Sequence, residues 1–253
     1  MTINKSFRFF HSVWYLNFSQ IYWRVFFIFK KQFFSQKNFY AFKAPQSKYF
    51  SLCTSLLQVP ACYLGDNTFI FINKSHKFHD VVDWNYQDHG RLWLYNLNYF
   101  DFLNQNEIDR AKGLELIKHF CHEINRVKDG LEPYPTSLRC INWIKFLVRY
   151  EIKDEEIESV LWAQINHLSK NLEFHILGNH LLENGFALLF GAVYFDNENL
   201  YKKARGLVEE QLNEQILEDG AHFELSPMYH QIILGRLLDL INIIKSSNLP
   251  RII

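Results

Sequence analysis

Pro227-Met228-Tyr229-His230-Gln231-Ile232-Ile233-Leu234-Gly235-Arg236-Leu237-Leu238-Asp239-Leu240-Ile241-Asn242-Ile243-Ile244 is the stretch that decides how this chain is read. Ile232, Ile233, Leu237, Leu240, Ile241 and Ile244 recur at three- and four-residue steps, the spacing that lines one face of an α-helix. Ser226 and then Pro227 give a cap followed by a proline in the first turn, where its missing N–H costs nothing.

The same period extends upstream. Helix-length segments fall at Glu107–Arg126, Ser137–Tyr150, Asp154–Leu172, His180–Phe195 and Asn199–Leu217, with the last at Pro227–Ser246. Asp154, Glu155 and Glu156 place negative charge where a helix N-terminus favours it. Asp129-Gly130 and Asp219-Gly220 mark turns. Consecutive helices with short links predict stacked helical hairpins, as a bundle, a solenoid or part of an α/α toroid. No sequence repeat separates these three.

Residues 1–105 read differently from 106–253, the helical-hairpin region. Trp14 to Phe34 predicts an amphipathic helix with a basic end. Ser35 to Gly65 has few periodic signals, Thr68–Ile72 is a short strand candidate, and Trp93–Phe100 is aromatic and Asn-rich. The apolar positions Phe7, Phe9, Phe10 and Val25–Phe29 are broken or bounded by Arg8, Arg24, Lys30 and Lys31. No apolar run reaches the roughly 18 residues of a spanning helix, and no small-residue cleavage site follows, so a signal peptide is not expected. The helix is expected to pack on the main domain; contact with a membrane surface is its alternative role.

Lys+Arg and Asp+Glu number 27 each, and this balance argues against a nucleic-acid binder. Aromatics at 17% supply core, with a minority free to stack on sugars. Cys53, Cys62, Cys121 and Cys140 form no CxxC pair and are expected as buried thiols. A Cys53–Cys62 bridge would need an oxidising compartment.

Three segments concentrate polar chemistry. Gly178-Asn179-His180-Leu181-Leu182-Glu183-Asn184-Gly185 opens a helix. Its plain reading is Asn179 as cap, with His180 and Glu183 as a local pair; its functional reading is an anion site at a helix N-terminus. Asp219 to His230 includes His222, Glu224, Tyr229 and His230 directly before an apolar helix, where Tyr and His can exchange protons with a substrate. In Glu132 to Trp143, Arg139 lies four residues before Trp143. That spacing suits either a cation–π brace or an Arg gripping a carboxylate or sulfate beside a sugar-stacking ring. His175, His180, Glu183, His222 and His230 match no HExxH-like spacing, and no GxSxG, P-loop or GxGxxG is present, so no metal or cofactor is expected.

In order along the chain, Leu16–Phe29, Leu94–Phe100, Tyr134–Trp143, Gly178–Gly185 and Asp219–His230 resemble the heparinase II/III family and the related alginate lyases. The resemblance implies a mainly α fold: an incomplete (α/α) toroid of helical hairpins with a small irregular N-terminal region. It implies β-elimination on a uronic-acid polysaccharide, with Asn179 and His180 neutralising the uronate carboxylate and Tyr229 transferring the proton. Arg139, Trp143, Glu183, His222, Glu224 and His230 are then the expected substrate-binding residues. Family members continue through more helices into a β-sandwich that supplies another catalytic histidine, whereas this sequence ends at Ile253. A separate chain supplying that half is the implied protein partner, beside the acidic polysaccharide itself. The alternatives are a glycan-binding remnant without turnover and a helical-repeat interaction module. The family implies a periplasmic location, and the unremarkable N-terminus a cytoplasmic one.

Overall fold

The computed structural model describes residues 14, 16, 18–33, 39, 43–48 and 61–245. Phe7–Phe10, Phe34 and Cys53 lie outside them. Helix α1 spans Phe18–Phe33. Strands β1 (Thr68–Phe71) and β2 (Lys74–Lys77) pair antiparallel. Ile72 and Asn73 turn between them with φ of 46° and 59°, the left-handed geometry that two-residue hairpins require. The Asn-rich segment is helix α2 (Arg91–Tyr99), which buries Trp93, Leu94, Leu97 and Asn98 and ends at Phe100 with φ 62°.

All the helices expected from periodicity form: α3 (Arg110–Glu123), α4 (Pro133–Arg149), α5 (Glu155–Ser169), α6 (Gly178–Tyr194), α7 (Glu198–Gln215) and α8 (Pro227–Lys245). Their starts follow local chemistry. The Asp154 carboxylate caps α5 by accepting from the Glu156 and Ile157 N–H groups, and Asn197 caps α7 through Leu200 N–H. Helix α4 starts before Ser137, because Pro133 follows extended Glu132 and its fixed φ suits the first turn. Helix α6 starts at Gly178, after Leu177 at φ 67° with no side-chain cap, so Asn179 lies inside the helix rather than capping it.

Helices α4 and α6 pack side by side at the centre, with α5 against both, α7 on α6, α3 on α5, α2 on α4 and α8 on α6. Helices α2, α4, α6 and α8 thus form one row, with α5 and α7 packed against it and α3 on α5, an α/α helical arrangement. Gly191 and Gly185 set the spacing around α6: a Cβ on Gly191 would lie 2.6 Å from Ile165 Cδ1 on α5, and one on Gly185 2.7 Å from Val208 Cγ2 on α7. The core runs continuously from Phe69 and Trp93 through Phe146 and Phe190 to Ile243. Toroid closure is not seen among the described residues: Leu234, Leu238 and Ile241 on α8 stay exposed.

Candidate functional site

The polar segments meet where α4, α6 and α8 begin. The Tyr134 ring, one residue into α4, lies 4.3 Å from the His180 ring near the start of α6. Glu224, before α8, brings Oε1 to 3.8 Å from where a Gly178 Cβ would be. Like-directed N-termini share a side, so their exposed N–H groups add positive potential there.

His180 is held from below. Its Nδ1 lies 3.3 Å from Oε1 of buried Glu173. Asn184 fixes that carboxylate by donating from Nδ2 to Oε2 at 3.1 Å and accepting the Glu173 N–H at 2.9 Å. Asn184 also donates to Ser137 Oγ at 3.1 Å. The arrangement has the geometry of a histidine oriented by a carboxylate, which fixes the ring and selects its tautomer. Burial, and next the charge of Glu183, push the Tyr134 phenol well above its ordinary range, so it stays a neutral hydrogen-bond donor. Tyr99, with its ring 6.0 Å from Tyr134, is raised by burial and by Asp101.

Deeper between α6 and α8, Arg236 Nε–H is shared by both oxygens of fully buried Glu183 at 3.0 and 3.2 Å. Asp239 follows at 3.8 Å from Arg236 Nη1 and also pairs with Lys145 Nζ at 2.8 Å. Burial opposes the Arg236 charge, but Glu183, Asp101 and Asp239 outweigh it, so the guanidinium is raised above its ordinary range. Burial pushes the Glu183 carboxyl up, against the pull of Arg236. The direct contact argues for an ionised pair.

Asn179, His180 and Tyr229 are all half-buried. Among the described residues, none hydrogen-bonds the Asn179 amide or the Tyr229 hydroxyl, so both remain available to a ligand. Glu224 and His230 are exposed beside them. His222 is buried beneath, its Nε2 3.2 Å from Gln215 Oε1 and its ring 6.3 Å from Tyr229. Burial lowers its pKa, keeping the ring neutral at pH 7.

Four expected ligand contacts are corrected. Arg139 is fully buried and spent on protein acceptors: Gln164 Oε1 at 2.6 Å, Gly130 O at 2.9 Å, Asn98 O at 3.0 Å and Thr136 Oγ1 at 3.1 Å. Its guanidinium stacks on Phe120 at 4.7 Å, not on Trp143. Trp143 is fully buried, edge-on to Phe100 and Phe120, and offers no face to a sugar. Glu183 and His222 are also shut from solvent, so their part is to hold neighbours in place.

Sequence reasoning missed Tyr134, Glu173 and Arg236 as members of this cluster. A signal for one existed: Glu183 is the lone acid of apolar α6, and Arg236 the lone Arg of apolar α8. An acid inside an apolar helix with no Lys or Arg of its own calls for a cation from another element, and Arg236 on α8 can supply it.

No group of three or more His, Cys, Asp or Glu is placed to hold a metal among the described residues. A cleft of about 660 Å³ opens elsewhere, lined by Tyr63, Asp66, Lys77, Glu107, Asp109 and Lys112, and contains none of the candidate residues. Cys62, Cys121 and Cys140 are free thiols, and burial pushes Cys62 and Cys140 up to about 12, which leaves them unreactive near neutral pH.

No curated protein and no solved structure matches this chain. Residues 136–252, which include Asn179, His180, Tyr229 and the Glu183–Arg236 pair, match the family model for the heparinase II/III N-terminus.

Proposed function

We propose that this chain is a member of the heparinase II/III family and acts on a uronic-acid-containing polysaccharide by β-elimination. The observation that carries the reading is the available pair: the Asn179 amide and the Tyr229 hydroxyl, at neighbouring helix starts within the segment that matches the family model.

The C5 proton of a uronate is weakly acidic because its loss adds charge to an anion. Neutralising the carboxylate comes first, by donors held in place before reaction. The Asn179 amide and the start of α6 supply this, with His180 fixed beside them by Glu173. Tyr229 transfers the proton. As the C5–H bond breaks, its electron pair forms the C4=C5 double bond, the C4–O bond breaks, and the leaving oxygen takes a proton. The bound substrate and its neighbours must favour proton loss, or the transfer must be concerted. Glu224 and His230 line the rim.

The test is absorbance of 4,5-unsaturated uronate on a panel of acidic polysaccharides. A rise with the natural chain, absent with Tyr229→Phe, supports the reading. Equal rates for both would remove Tyr229 from the chemistry, and binding without any rise would favour a glycan-binding role without turnover.

A further inference from the structure

Helix α1 presents a purely apolar outer stripe. Phe18 is 85% exposed, and Ile21, Tyr22 and Val25 continue the line at helical spacing, while Trp14, ahead of the helix, is 87% exposed. The opposite side ties α1 to the segment just before α6. Gln20 Nε2 donates to Ile176 O at 3.3 Å, Arg24 Nε donates to His175 O at 3.4 Å, and the Trp23 ring stacks on Phe174 at 4.9 Å. The stripe therefore faces away from the body of the protein.

Charge is divided along the chain in the same sense. Residues 1–65 contain eight Lys and Arg and not one Asp or Glu, together with half of the 24 Phe. The whole chain is neutral, so residues 66–253 carry an excess of eight acidic charges. We propose that α1 docks the protein on an anionic lipid surface, lying in the headgroup plane with Phe18, Tyr22 and Val25 turned into the acyl boundary.

Three physical features select a bilayer as the occupant. An aromatic-rich stripe matches the headgroup–acyl boundary, where amphipathic rings partition. A basic segment free of acids is attracted to anionic headgroups, while the acidic remainder is repelled, so the molecule is oriented as well as bound. A nucleic-acid surface would instead present its cations outward, and here the outermost groups are apolar. No helix of the described residues is long and apolar enough to cross a membrane, which leaves α1 lying along the surface. Because α1 holds residues 174–176, docking also holds the start of α6, with Asn179 and His180, close to the lipid. The proposal is independent of the chemistry performed there.

The experiment is flotation of the full chain with vesicles of phosphatidylcholine alone and of phosphatidylcholine mixed with phosphatidylglycerol. The natural chain is expected to float with the mixed vesicles and to bind neutral ones at least about tenfold more weakly. Phe18→Ser with Tyr22→Ser is expected to weaken binding to the mixed vesicles by about tenfold or more. Both side chains are exposed, so an unchanged melting curve shows that the fold is retained. Three results would each overturn the proposal. One is no flotation with the mixed vesicles at low salt. Another is binding that salt abolishes but the double substitution leaves unchanged, which is attraction by charge alone. The third is a dimer in sedimentation velocity that the double substitution dissociates without any vesicle binding, which makes the stripe a contact between copies.

Discussion

Arg139 on α4 and Arg236 on α8 are both withdrawn from water, yet their neighbours differ in charge. Arg139 meets neutral oxygens and the Phe120 ring, and burial lowers its pKa to about 10. Arg236 meets Glu183, with Asp239 and Asp101 nearby, and is raised instead. The first is a brace: its donors satisfy the carbonyls of Asn98 and Gly130, which would otherwise be buried without partners. The second is a clamp between the helices that carry His180 and Tyr229. Burial of a cation thus says little about its task, which is set by whether its acceptors are charged and which elements they join.

Arg139→Ala should show the largest effect. It leaves a cavity and several unsatisfied acceptors, and a loss of about 3–5 kcal/mol in urea unfolding is expected. Acidic-glycan binding per folded molecule should not change. A fully stable variant that had lost glycan binding would break the contrast, because Arg139 would then be a ligand contact.

Arg236→Met comes next, at about 3 kcal/mol, since it strands a buried carboxylate. Adding Glu183→Leu should recover much of that loss. A double-mutant cycle with no coupling energy would show that the pair is not the clamp inferred here.

A smaller effect separates buried bases that lack a strong acid partner. Burial depresses the pKa of His222 below 6.5 in the folded chain. The unfolded chain therefore binds the extra proton first as pH falls. This contribution to stability is complete above about pH 6.5 and is lost as pH drops toward the folded value. His222→Gln should make the acid side of the stability–pH curve shallower, and an unchanged slope would assign that dependence to His76, His119 and His175, which are depressed in the same direction.

Tyr229→Phe should alter stability least, by under about 0.5 kcal/mol, because no described group bonds its hydroxyl. The same substitution should remove unsaturated-product formation, so its melting temperature and its activity are expected to part company.

Much of this arrangement was legible in the chain. Period and punctuation located every helix from Arg110 to Lys245, with Asp154 and Pro227 marking starts to the residue. Three starts moved by two residues or more. The one expected at Glu107 fell at Arg110, where Asp109 caps the helix through Lys112 N–H. Those at Ser137 and His180 moved earlier because proline geometry at Pro133 and the left-handed backbone at Leu177 act over a single residue, below the resolution of an apolar period. Helix α2 was not recognised because its Asn residues disguise the pattern; Asn98 is buried and donates to Trp84 O and Leu94 O.

The sequence by itself determined which segments are helical, because periodicity and capping are local and each residue's contribution is read within a few neighbours. It also brought Asn179, His180 and Tyr229 forward as the groups to examine. Only the tertiary structure decided that Arg139 and Trp143 are walled in, that Glu183 finds Arg236 across 53 residues, and that Tyr134 and Glu173 flank His180. Burial and partnership depend on which faces of distant helices meet, and no spacing within one segment carries that information.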